Sequence, residues 1–126
     1  MAHGDKELLK NVDLEIQQGE MVYFTGKVGS GKTSLIRVIH GELPLKDGKG
    51  RVLTYNLNTV TRSQLPYLRR KVGVSFQDFQ LLPEKTVYEN LKFVLKATQW
   101  KKTEIDARID EVARQMSLSE KLESRP

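Results

Sequence analysis

Gly26, Gly31, Lys32 and Thr33 stand in the order G-x-x-x-x-G-K-[ST] within GKVGSGKTS, residues 26–34, a spacing suited to holding a triphosphate. Glycines let consecutive N–H groups turn inward around an anion, because a β-carbon would block those backbone angles or the anion's close approach. Gly29 adds a further permissive position. Lys32 can reach the β- and γ-phosphates as a point charge, and the Thr33 hydroxyl can ligate the magnesium that bridges them. Ser34 supplies a further phosphate contact. The whole run of Gly26, Lys27, Val28, Gly29, Ser30, Gly31, Lys32, Thr33 and Ser34 is therefore the expected nucleotide-binding loop. Four matched positions arise by chance in about one chain in a few hundred of this length, given ordinary glycine usage.

Such a loop works only between a strand and a helix. MVYFT (21–25) is apolar until its last residue, as expected of a strand covered on both faces of a parallel sheet. It leads straight into Gly26. After the loop, Leu35, Ile36, Val38 and Ile39 mark the buried face of a helix that gains the positive end of its dipole near Lys32 and stops at Gly41 and Pro44. Upstream, LLKNVDLEI (8–16) alternates with the period of a half-buried strand, and QQGE turns the chain. Downstream, KDGKG (46–50) predicts a turn, RVLTY (51–55) a strand, SQLPYLRRK (63–71) a short helix with Pro66 in its first turn, and VGVSF (72–76) another strand. T-V-Y-E from Thr86 is a capping box that opens a helix with Val87, Leu91, Val94, Leu95 and Thr98 on one face. A second box, T-E-I-D from Thr103, predicts a helix with the stripe Ile105, Ile109, Val112, Ala113 and Met116.

Composition narrows the function classes. The chain has 126 residues, 38% hydrophobic and 29% charged, and its apolar runs are far too short to cross a bilayer. No secretion signal is evident in MAHGDKELLK, so the cytoplasm is the expected compartment. Cysteine is absent and His3 and His40 lie far apart, so neither disulfides nor a protein-held metal cluster is expected. Net charge is +5, with basic clusters at 68–71 and 100–102. These lack an interleaved aromatic series and read as solvated surface rather than a nucleic-acid site. His40, Trp100 and the tyrosines read as packing or surface residues, since nothing pairs them with a reacting group.

The run VGVSFQDFQLLPEKTVYENL (72–91) separates this chain from other phosphate-loop proteins. It resembles the Q-loop region of ATP-binding cassette (ABC) proteins: an apolar strand, a terminal Gln77, a loop with LLP and a capped helix. Within that family the wording is most similar to the cell-division branch, and the lipoprotein-release and macrolide-export ATPases share much of it. The resemblance implies an α/β phosphate-loop NTPase fold in which a strand region (8–25), the loop (26–34), the Q-loop region (72–83) and the start of a helical subdomain (86–122) form the first part of an ATP-binding domain. It implies ATP and Mg²⁺ as ligands, with Gln77 beside the metal or the attacking water. It also implies a transmembrane subunit docking around Gln77 to Leu82, and a second ATPase domain.

Residues 1–126 contain no LSGGQ-like signature, no apolar strand ending in Asp-Glu and no switch histidine. No catalytic residue is expected in this stretch, ATP-Mg²⁺ binding by it alone is expected to be weak or absent and hydrolysis negligible, and its uncovered apolar faces are expected to drive self-association or domain swapping. The adenine-stacking aromatic would fall near Ala2 or His3. Through its partner the parent is expected on the inner face of the plasma membrane. Two rival readings stay open: a small phosphate-loop kinase, and a non-catalytic nucleotide-sensing module. Asp78, ending an apolar strand, also imitates the magnesium-binding acid of other phosphate-loop enzymes.

Overall fold

Helix α1 (Lys32–Ile39) is followed by β1 (Arg51–Val52), β2 (Tyr55–Asn56), α2 (Leu65–Lys71), α3 (Val87–Ala97), α4 (Lys102–Gln115) and a 3₁₀ turn at Ser119–Lys121. The computed structural model describes residues 9–126. The chain divides between Val60 and Thr61 into two compact units.

In the first unit α1 starts at Lys32, where the glycine spacing places it. It ends at Gly41, which adopts φ 70° and donates its N–H to Val38 O at 3.0 Å while Glu42 N donates to Arg37 O at 2.8 Å. This bond pair satisfies carbonyls that the helix leaves open, and the positive φ explains the glycine. The turn at 17–20 also forms, with Glu20 N donating to Gln17 O at 3.2 Å.

The expected strands do not form ladders. Residues 9–16 and 21–25 join no strand ladder among the described residues, and Met21 and Tyr23 are each 80% exposed. A parallel strand pairs through a crossover of a dozen or more residues to a neighbour distant in sequence, and no such neighbour is assigned to either segment. Leu8 lies outside the described residues. The strand expected at 51–55 is instead a hairpin: Arg51 faces Asn56 and Val52 faces Tyr55, with Leu53 at φ 54° in the turn. Asn58 fastens the preceding loop, accepting from Gly50 N at 3.2 Å and donating to Gly48 O at 2.9 Å.

Among the described residues the buried apolar side chains all lie in the second unit: Leu68, Ile105, Ile109 and Ala113. The last three follow the predicted stripe of α4, which packs against α3 and the 3₁₀ turn. Met116 departs from the stripe and is exposed. The helix has already ended there, with Ser117 at φ 57° and Leu118 N donating to Ala113 O at 2.7 Å. The capping box at Thr103 does not form either. Gln99 (φ 66°) and the Trp100 N to Leu95 O bond close α3 so tightly that α4 begins at Lys102, leaving Thr103 inside its first turn. Residues 72–76 carry no ladder, yet Val72, Val74 and Phe76 are half-buried while Gly73 and Ser75 are exposed, so the period of a strand survives without its partner.

The box at Thr86 forms in full: Glu89 N donates to Thr86 Oγ1 at 3.2 Å and Thr86 N donates to Glu89 Oε2 at 2.8 Å. The remaining free donors of α3 are satisfied from far along the chain, Val87 N by Ser124 O at 2.8 Å and Tyr88 N by Leu122 O at 2.9 Å. The Thr86 backbone N–H holds the Glu89 carboxyl below the usual carboxylate range, with Lys85 and Arg125 adding attraction against some desolvation. A depressed folded pKa means that the box contributes fully above the ordinary carboxylate range and fades as pH falls through the lowered value. Acid titration of helical circular dichroism should therefore show a loss in that window that Glu89→Gln flattens. Identical titrations of the two proteins would refute it.

The basic cluster at 68–71 is not simply solvated. Arg70 donates through Nε to Thr98 O at 2.5 Å, and its guanidinium lies 4.9 Å from the Tyr67 ring centre and 5.0 Å from that of Trp100. Arg108 approaches the Trp100 ring at 5.6 Å. Arg70 thus serves the open carbonyl end of α3 and stacks on two rings, joining α2 to the α3–α4 turn. Tyr88 likewise does more than fill space: its hydroxyl donates to Asp106 Oδ1 at 2.6 Å and accepts from Lys92 Nζ at 3.0 Å, fastening α3 to α4.

Candidate nucleotide-binding site

Residues 26–34 fold as a tight loop at the start of α1. Ser30 N donates to Lys27 O at 3.2 Å, and Gly29 and Gly31 adopt φ 81° and 93°, both in the left-handed region. A β-carbon on Gly26 would lie 2.8 Å from Ser30 Oγ, so glycine lets the loop close on itself. Into that closure Lys32 folds back: Nζ donates to Gly26 O at 2.7 Å, to Lys27 O at 2.9 Å and to Ser30 Oγ at 3.3 Å. The three donors of one ammonium meet three oxygens of its own loop, which centres the charge on the ring.

The first backbone bond of the helix runs from Leu35 N to Gly31 O at 3.0 Å. The N–H groups of Lys32, Thr33 and Ser34 precede it, and no acidic residue occupies the first turn of α1 to neutralise its positive end. An ammonium, a row of amides, the exposed Thr33 hydroxyl and the absence of a carboxylate within residues 26–34 make a donor set for a phosphate chain, and one hydroxyl fits a magnesium whose other ligands are phosphate and water. Gly26, Ser30 and Lys32 form the polar end of a cavity of about 430 Å³ whose apolar wall includes Leu9, Val12 and Tyr23. Ala2 and His3, near which a base-stacking ring was expected, lie outside the described residues.

Gln77 belongs to the second unit, where it and Asp78 are exposed in a turn that follows Phe76. Phe79 and Gln80 then adopt φ 53° and 50°, two successive non-glycine residues in the left-handed region. That conformation costs on the order of 1–3 kcal/mol per residue and persists only where the surroundings enforce it. Phe79 is 77% and Leu81 52% exposed, whereas Leu82 is half-buried. Sequence reasoning passed over the residue that grips this loop, Asn90. Its Oδ1 accepts from Leu82 N at 2.9 Å, and its Nδ2 donates to Leu82 O at 3.1 Å, Thr86 O at 3.0 Å and Lys85 O at 3.3 Å. The available signal was a carboxamide between the apolar positions Val87 and Leu91, on a helix where an amide has no reason to be part-buried unless it bonds.

Comparison with known proteins gives the family. The family model described as ABC transporter matches residues 9–126. The cell division ATP-binding protein FtsE of Streptococcus pneumoniae is 37% identical over 118 residues, covering 94% of this chain and 51% of that protein. The maltose/maltodextrin import ATP-binding protein MalK of Vibrio cholerae is 39% identical over 99% of this chain and 32% of its own length. The methionine import ATP-binding protein MetN 1 of Acinetobacter baylyi is 37% identical over 94% and 33%. Among solved structures, a dimeric ATP-binding cassette in a post-hydrolysis state with ADP and phosphate superposes with a TM-score of 0.72 at 29% identity, over 94% of this chain and 53% of that one. The chain thus spans between about a third and about half of the length of these relatives. The chain belongs to the ABC transporter family, with the α/β phosphate-loop fold of its ATP-binding domain.

Proposed function

We propose that residues 26–34 bind the triphosphate of ATP together with Mg²⁺, as the phosphate-binding part of an ABC ATPase of the FtsE type. The observation that carries this is the Lys32 ammonium held at the centre of the glycine loop, beside the open amides of α1. On binding, Lys32 exchanges its loop carbonyls for phosphate oxygens, the amides of 32–34 receive the same anion, and Thr33 faces the metal, with Gln77 as a further ligand or water contact in the parent. The bound metal supplies charge neutralisation between phosphates.

The parent couples ATP binding and hydrolysis to an FtsX-like transmembrane subunit through the surface at Gln77 to Leu82, with a second ATPase domain, at the cytoplasmic face of the membrane. The exposed Phe79 and Leu81 support that surface. A second reading replaces the cell-division partner with an import permease, because the import ATPases MalK and MetN 1 match at comparable identity. Residues 1–126 by themselves bind ATP-Mg²⁺ only weakly and without turnover, and the exposed apolar segment 21–25 favours self-association.

Thermal unfolding with ATP-Mg²⁺ against ATP-EDTA tests the central point. A native-state ligand at a hundredfold excess over its Kd stabilises by about 2.7 kcal/mol, so a rise in Tm that EDTA removes is expected. Equal curves in both conditions would overturn the assignment.

A further inference from the structure

We propose that Asn90 is the positioning residue that sets the shape of the loop between Gln77 and Thr86, so that Phe79 and Leu81 are presented in one orientation before any partner arrives. The proposal rests on the docking reading of that loop for its purpose, though not for its geometry. A carboxamide is the kind of side chain that can accept from the Leu82 N–H and, with two hydrogens of which one is shared, donate to the Leu82, Lys85 and Thr86 carbonyls. The grip runs from Leu82, four residues before Thr86, to Thr86 itself, so the end of the loop is joined directly to the fixed first turn of α3.

Just upstream, Phe79 and Gln80 occupy left-handed backbone with only local bonds to hold them, Phe79 N to Phe76 O at 3.2 Å and Gln80 N to Asp78 O at 2.6 Å. Strained residues keep such angles when both ends of their segment are restrained. Here the half-buried Phe76 closes one end and Asn90, through Leu82, closes the other. Removing the amide releases the strained pair, and the exposed side chains lose their common direction.

Hydrogen exchange of the chain alone, followed residue by residue, tests this. Asn90→Ala should speed exchange at the Leu82 N–H by about 10-fold, the scale of one lost hydrogen bond, while Leu95 in α3 and Ile109 in α4 keep their rates. In the same variant the Phe79 and Gln80 N–H groups should also exchange faster, because their bonds to Phe76 O and Asp78 O depend on the strained pair staying in place. A side chain that merely stabilised α3 would not move them. An unchanged Leu82 rate, equal acceleration throughout α3, or unchanged rates at Phe79 and Gln80 would each overturn the proposal. The docking reading is tested separately by Phe79→Ser with Leu81→Ser, assayed for association of the parent with its membrane subunit. If those changes leave association intact, the docking reading fails while the exchange result still stands or falls by itself.

Discussion

Lys32→Ala is expected to lower ATP-Mg²⁺ affinity by about 100-fold, since a hydrogen bond to a charged group contributes roughly 1.5–3 kcal/mol and a factor of ten corresponds to about 1.4. The structure makes the loss specific. Lys32 Nζ is already within 2.7–3.3 Å of three loop oxygens, so the charge that meets phosphate is placed beforehand and little ordering remains to be done on binding. Lys32→Arg should also fail. A planar guanidinium presents a fork where three convergent oxygens call for a compact ammonium. Neither change should lower Tm by more than a degree or two without ligand, because water can replace the ammonium at the exposed carbonyls of Gly26 and Lys27. Isothermal titration at low salt and at high salt, where screening weakens the remaining attraction, provides the measurement. Wild-type affinity in Lys32→Ala would remove the basis for the phosphate assignment.

Features written in contiguous residues were legible without the structure. The glycine spacing places the start of α1 at Lys32, Gly41 ends it, and Thr86 with Glu89 opens α3, because each requires only neighbours within a turn. The strands were legible as patterns but not as pairs. The alternation of Val72, Val74 and Phe76 is present as half-burial, yet pairing depends on residues far away in sequence, and no partner strand for 72–76 or 21–25 lies among residues 9–126. Remote polar contacts left no local trace at all. Nothing near Val87 predicts that Ser124 will accept its N–H, and nothing near Arg70 predicts that Trp100 and Thr98 will receive it. The failed box at Thr103 has the same origin: Thr-Glu-Ile-Asp is a valid local signal, overruled by the way α3 ends at Gln99. For the site, the loop was readable residue by residue, whereas the grip of Asn90 on the segment after Gln77 was not.

Ile109→Ala is expected to destabilise the second unit by about 3 kcal/mol, within the roughly 2–5 kcal/mol range for deleting a buried aliphatic side chain. Ile109 is 1% exposed and lies one helical turn from Ile105 and from Ala113 on the face that α4 turns inward. With four buried apolar residues among those described, little surrounding mass can collapse into the gap, so the cavity term should persist. Val94→Ala, at an exposed position of α3, supplies the contrast and should change stability by less than about 0.5 kcal/mol. Urea unfolding followed by circular dichroism at 222 nm reads both, and similar midpoints for the two variants would sink the assignment of the core. The consequence reaches the site because α3 carries the loop after Gln77 through Asn90 and receives the segment 122–124 at its first turn. Loss of packing beneath α3 loosens both attachments at once. Ile109→Ala should therefore raise exchange at Leu82, Val87 and Tyr88 together, unlike Asn90→Ala, which should act on Leu82 and spare the helix.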